Sequence, residues 1–417
     1  MPKPPIARLG AGQPLSQPEF RPDCPLFRAN PYPIYHQLRE LDPLQYDEDR
    51  REWLVTGHPE IKAILMDDRF DFVGPFQKKE SRSGLASLAN LSSQLEQKAC
   101  QLQDRFLQRC QNPLHAQLRT LLSSPLQNGD EWRKAIRTEL ERLLSANRDS
   151  KIDVVTELAL PLTLGTICKT LGLDWPNPDS QRFCRWTDGI RHSIDLEANH
   201  SDRLQGSLAM LAYANYFQPK LHPKSDGLLG RLAQEVEQGK LEFEDALANS
   251  IVMLFAGYES NTNFLGMAVR NLLLHPEQLD KLRQNPEQIS LACEELMRYE
   301  GPIQARPHYA LQELELAGHR IKKGDTMRLL IGAANRDPRV FENPDQLVLG
   351  RTPNPHLGFG AGPHACLGAR LARIESEELL RALIQFPRIE LVDPTPHWKD
   401  SFFMRGLVSC NLKLGPR

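Results

Sequence analysis

Paired cysteines, an N-terminal apolar run and any real excess of charge are all missing from this sequence, and each absence removes a class of protein. Its 417 residues hold 51 Lys and Arg against 53 Asp and Glu, a formal net charge of −2. No basic run stands out as a nucleic-acid stripe, so nucleic acid is not an expected partner. The opening stretch Met1-Pro-Lys-Pro-Pro-Ile-Ala7 has no apolar segment of the kind a signal peptide or membrane anchor needs, which predicts a cytoplasmic protein. Cysteines 24, 100, 110, 168, 184, 293, 366 and 410 are scattered without C-x-x-C spacing, which excludes an iron–sulfur cluster and a zinc ribbon. Cys168 and Cys293 sit in apolar helical patterns as core residues. The hydrophobic content of 40% suffices for a large core in one or two domains.

Cys366 is the cysteine with a chemical setting. It lies in Phe359-Gly-Ala-Gly-Pro-His-Ala-Cys366-Leu-Gly-Ala-Arg-Leu-Ala-Arg-Ile-Glu375, a glycine-rich loop leading into a helix. The free amides of Leu367, Gly368 and Ala369 suit a thiolate at that helix start. Three chemistries compete. Gly360-Ala-Gly362-Pro-His-Ala365 fits the dinucleotide pattern G-x-G-x-x-A, but it follows Arg351-Thr-Pro-Asn-Pro-His356, which is turn chemistry and not the required strand. His356, His364 and Cys366 offer zinc three ligands, without a fourth or an acid base at the usual spacing. The third is haem iron held by the Cys366 thiolate.

The whole stretch resembles the haem-binding signature of the cytochrome P450 family: Phe359, Gly360, Gly362, His364, Cys366, Gly368, Leu371-Ala372 and Glu375 are in place. The resemblance implies haem b with Cys366 as the metal ligand and Phe359, His364 and Gly368 around it. It also implies a mostly α fold with small β-sheets (α+β), one domain over 1–417, a ligand loop at 356–368 and a long central helix over a buried haem.

Such a helix is legible. Residues 243–275 are apolar at 247, 251, 254, 255, 265, 268 and 272, with no proline before Pro276. Its middle, Ala256-Gly257-Tyr258-Glu259-Ser260, has small residues that permit local widening and a polar pair that, in isolation, reads as a solvent face. Beside the Cys366 loop the pair is similar to the family's oxygen-activation motif. That implies Ser260 as the hydroxyl hydrogen-bonding the bound oxygen and Glu259 as part of the proton relay. Ser260 and Asn261 stand where the family usually has threonines.

Further motifs follow the same logic. Glu295-Leu-Met-Arg298, alone an ordinary i, i+3 pair, resembles the family's E-x-x-R element, with Arg351 placed to complete a structural triad. Haem carboxylates call for cationic donors. His115-Ala-Gln-Leu-Arg119 puts two donors one helical turn apart, matching the family's H-x-x-x-R, and His364 is a third. Six residues after Pro302, where an arginine is usual, this chain has His308. Arg306, two positions earlier on the same strand face, is the alternative donor.

Elsewhere, 30–41 reads as a proline-started helix, 52–56 as a strand, 60–66 as a short helix and 88–110 as amphipathic. Helical patterns follow at 154–171 and 204–216, with strands at 314–316, 327–331 and 407–414. Regions 71–110 and 176–222 are expected to cover the substrate. Val252, Phe255, Ala256, Ile303, Gln304, Phe402 and Phe403 are expected to line an apolar pocket, Gln304 as its polar anchor. The implied function is insertion of one oxygen atom of O2 into an apolar small molecule by a monomer. Its electrons are expected from outside, since no flavin, nicotinamide or cluster segment is encoded, and the resemblance implies a ferredoxin or flavodoxin with an NAD(P)H-dependent reductase as their source. A peroxygenase or oxidative-coupling enzyme, or a non-catalytic haem ligand sensor, are the alternatives.

Overall fold

The computed structural model describes residues 19–72, 88–146, 151–196 and 198–415. Helices dominate, and one of them, Phe243–Leu274, sets the frame. Its 32 residues rise about 48 Å at 1.5 Å each. Leu247, Ile251, Leu254, Leu265, Ala268 and Leu272 are all buried, because other elements surround this helix on nearly every side. It packs on Leu160–Leu171 and the wider helical turn Val154–Ala159 before it. Across that contact the hydroxyls of Thr163 and Thr262 satisfy each other at 2.7 Å. The segment Val154–Leu171 is long and apolar enough to cross a membrane, but 72% of it is buried inside the protein.

Sheet content is small. The largest sheet orders its strands Leu44–Asp47, Glu52–Val55, Thr326–Leu329, Arg306–Ala310, Phe70–Asp71. Arg306 stands opposite Leu329 and His308 opposite Met327, so the strand period of two puts both side chains on one face.

The helix Ile289–Tyr299 carries Glu295 and Arg298, both with fully buried side chains. Arg298 donates to the Glu295 carboxylate at 2.7 and 2.8 Å, and Arg351 Nε reaches the same carboxylate at 3.0 and 3.1 Å. The remaining Arg298 donors end on the carbonyls of Asn335, Pro344 and Gln346. The three residues therefore clamp the segment that leads into the Cys366 loop.

Two elements differ from the sequence pattern. The amphipathic stretch 88–110 stops being helical at Gln103 and resumes as the short turn Leu107–Arg109. Asn249 of the central helix causes the break, accepting from Leu107 N at 2.9 Å and donating to Arg105 O at 3.0 Å. The strand 407–414 is split at Cys410, whose amide donates to Asp153 at 2.7 Å. Its halves then join different sheets. Residues 73–87 of the expected substrate cover lie outside the described residues.

Candidate active site

The loop around Cys366 is set by its own backbone. Cys366 N donates to Phe359 O at 2.8 Å, and Gly360 and Gly362 both adopt a φ of 71°, where a side chain is strained. A Cβ on Gly362 would also run into the carbonyl of Leu65. The helix Ala369–Leu383 begins just beyond, and the amide of Gly368, its N-cap, donates to the Cys366 sulfur. Burial pushes the thiol pKa up, while that amide and the charges of Arg306, Arg119 and Arg373 pull it down. Cys366 is enclosed by protein, and its exposed surface opens onto an internal cavity.

The cavity measures about 710 Å³. Val252, Phe255, Ala256 and Ser260 form its central-helix wall, and the helix runs through them without a break. Gly257 lets the neighbouring helix approach: a Cβ there would lie 2.7 Å from Ile167. Ile303 and Phe403 form another part of the wall. Phe403 is pinned by Asp195, whose Oδ2 accepts from Phe402 N at 2.9 Å, Phe403 N at 3.2 Å and Ser401 Oγ. Gln304 and Phe402 stand off the wall. Gln304 donates to Gly301 O at 2.9 Å, and Phe402 packs in an aromatic cluster, 5.4 Å from Phe20. Sequence spacing could not separate them from neighbours that do face the cavity.

Cationic and imidazole donors converge near Cys366. Arg119 Nη1 donates to Ala365 O at 3.0 Å. The rings of His115 and His364 lie 4.4 Å apart, and His115 Nε2 and His364 Nδ1 are buried without a hydrogen-bond partner. Arg306 lines the cavity with its guanidinium over the Phe72 ring at 5.1 Å and has no carboxylate partner among the described residues. His308 lies off the wall, and burial together with Arg306 and His364 lowers its pKa to about 3, so it is neutral. Buried donors lacking an anion, beside a thiol and a flat glycine loop, fit the two carboxylates of haem. His356 instead bonds Glu294 at 3.0 Å, and no three-residue metal cluster forms among the described residues.

Of the acid–alcohol pair, Ser260 lines the cavity and back-bonds to Ala256 O at 3.1 Å. Glu259 is buried off the wall, accepting from Lys399 Nζ at 2.7 Å and Asn263 Nδ2 at 3.3 Å. Asn261 donates to Glu375, a buried carboxyl that is itself on the wall. Neither pairing was visible in sequence, because each joins residues more than a hundred positions apart. A further polar stretch of wall also gave no sequence signal: Glu96, Gln103, Arg203 and Ser207, where the helix Leu88–Gln103 packs against His200–Phe217.

Comparison with known proteins agrees with this geometry. Residues 214–409 match the cytochrome P450 family. The biotin biosynthesis cytochrome P450 of Bacillus subtilis is 33% identical over 392 residues, covering 91% of this chain and 95% of that one. The monooxygenase PikC of Streptomyces venezuelae is 29% identical, covering 98% and 94%. Among solved structures, a P450 in complex with acyl carrier protein ligated to hexadec-9Z-enoic acid superposes with a TM-score of 0.84 at 30% identity, over 94% of this chain and all of that one. A third of the residues shared along nearly the full length of both chains means more than a common fold, and the chain belongs to the cytochrome P450 family.

Proposed function

We propose that this P450 monooxygenase oxidises an elongated biosynthetic intermediate, apolar where it lies along Val252, Phe255 and Ser260 and polar at its other end. The class itself is plain from the family: a haem enzyme that inserts one oxygen atom of O2 into a small organic molecule, with electrons from a redox partner. The single observation that carries the finer reading is the two-part wall. One stretch is apolar and adjoins Cys366, while another sets Gln103, Arg203 and Ser207 into the cavity lining. An amphipathic chain matches both stretches, where a pure hydrocarbon matches only the first. The acyl chain carried by the carrier protein in the solved relative has this character.

Haem b, when bound, supplies the redox chemistry. The chain supplies the rest. Cys366 provides the thiolate ligand, and Arg119, Arg306, His115 and His364 hold the carboxylates. Val252 and Phe255 exclude water, which strengthens each polar interaction inside. Ser260 brings its hydroxyl to the cavity wall, where its oxygen accepts while its hydrogen goes to Ala256 O, and Glu259, fixed by Lys399, is the proposed link from Ser260 outward. A ferredoxin or flavodoxin with its reductase is the proposed electron source for a monomeric, cytoplasmic enzyme. The burial of its apolar Val154–Leu171 segment marks that segment as a core helix and not a membrane span.

Absorption titrations test the substrate reading. Hexadecenoic acid, free or carried by acyl carrier protein, should shift the haem spin state at lower concentration than a hydrocarbon of equal length. Equal or tighter hydrocarbon binding would refute the amphipathic reading.

A further inference from the structure

Arg306 has no counter-ion among the described residues, yet its place is set by an aromatic ring. Its guanidinium carbon lies 5.1 Å from the centre of Phe72, and the Arg109 guanidinium lies 5.8 Å from the same ring. The His308 ring meets Phe72 edge to face at 6.1 Å and 86°. Phe72, Arg109 and Arg306 all line the cavity.

We propose that Phe72 is a positioning residue for haem binding, its ring holding the Arg306 guanidinium in place for a haem carboxylate.

Strand pairing fixes the ring. Phe70 pairs with Ala310 and Asp71 with Tyr309, so the register carried one residue further brings Phe72 beside His308. Arg306 is two positions from His308 on the same strand face, which sets its side chain within reach of that ring. Asp71, next to Phe72, is engaged elsewhere: its Oδ2 accepts from Gln111 Nε2 at 2.5 Å. A Cβ built on Gly360 would lie 3.8 Å from Arg306 Nη1, so the held guanidinium reaches the Cys366 loop.

A ring serves here where an acid would not. The negative face of an aromatic ring attracts a guanidinium without cancelling its charge, so Arg306 keeps that charge for the haem. A carboxylate at the same place would neutralise Arg306 and repel the carboxylate that arrives. Arg109 is the satisfied member of the pair, because Asp104 meets it at 3.0 Å. Once the ring is gone, the rotamers of Arg306 must be fixed by haem binding itself. Ordering one such side chain weakens binding by about two- to twelvefold.

This rests on Arg306 holding a haem carboxylate, as proposed above, and one set of variants separates the two claims. Haem transfer from the loaded protein to excess apomyoglobin is measured for the wild type, Phe72→Leu, Phe72→Tyr, Arg306→Met and the double variant Phe72→Leu with Arg306→Met. Phe72→Leu should lose haem about two- to twelvefold faster, and Phe72→Tyr, which keeps the ring, should behave as the wild type. In the Arg306→Met background Phe72→Leu should add nothing, since one residue acts through the other. Should Phe72→Leu fail to fold, pentafluorophenylalanine at position 72 keeps the shape and reverses the charge of the ring face. It must then speed haem loss, and an unchanged rate overturns the proposal. Faster loss in Arg306→Met but not in Phe72→Leu overturns this proposal alone, as does an equal effect of Phe72→Leu with and without Arg306. Haem loss unchanged in Arg306→Met overturns the role of Arg306, and this proposal with it.

Discussion

Arg306 gives two opposite signatures in one substitution. Its guanidinium is enclosed, its pKa is lowered by burial, and no carboxylate meets it within the described protein. An enclosed charge without a counter-ion costs stability until an anion arrives. In Arg306→Met that cost disappears from the haem-free protein, which should unfold at higher temperature than the wild type. Haem should be held less well. Losing one charge-assisted hydrogen bond to a carboxylate costs about 1.5–3 kcal/mol, or about 10–150-fold in dissociation. His308→Ala is the control: its imidazole is already neutral and off the wall, so haem loss should change by less than about threefold. Haem transfer to excess apomyoglobin, followed in the Soret region, measures the first effect, and calorimetry of haem-free protein measures the second. The reasoning fails if Arg306→Met leaves both unchanged, or if His308→Ala is the more damaging variant.

Three other outcomes are expected. Glu295→Gln leaves Arg298 and Arg351 buried without their anion, so thermal or urea unfolding should show a loss of about 3–5 kcal/mol, with haem lost alongside. Ser260→Thr restricts χ1 of the cavity hydroxyl, so less peroxide should accumulate per electron consumed, and unchanged peroxide contradicts this. Glu375 has a folded pKa raised from 4.5 to about 7. The folded state therefore binds more protons, and the associated stability is present below pH 4.5 and lost as pH rises through 7. Relative to Glu375→Gln, the wild type should weaken by about 1.4 kcal/mol per pH unit across that window, read from urea midpoints at several pH values.

How much was legible in the sequence depended on how local each cause was. The Cys366 loop is a continuous motif whose glycines answer to positive φ, so it could be read directly. The central helix was legible because periodicity is a local property. Glu295, Arg298 and Arg351 were found through resemblance to the family's motif, since spacing alone showed an ordinary i, i+3 pair, and the carbonyls of Asn335, Pro344 and Gln346 that consume the Arg298 donors come from chain folded back over it. Lys399 on Glu259, and Glu375 on Asn261, are tertiary pairings with no periodic trace. Gln304 shows the reverse: strand position suggested a polar anchor, and the backbone of Gly301 claimed its amide.

The Asp195 carboxylate joins two parts of the protein that could otherwise vary apart. It follows the helix Ser180–Ser193 in the expected substrate cover, and it grips Ser401, Phe402 and Phe403 of the C-terminal loop. Arg191 adds a second tie through Asp400 O at 3.2 Å. Displacing that helix while the grip holds must pull Phe403 with it. Admission of a molecule and the shape that greets it are thus one mechanical event. An engineer who loosens the cover to widen access will also redraw selectivity unless Asp195 is released first.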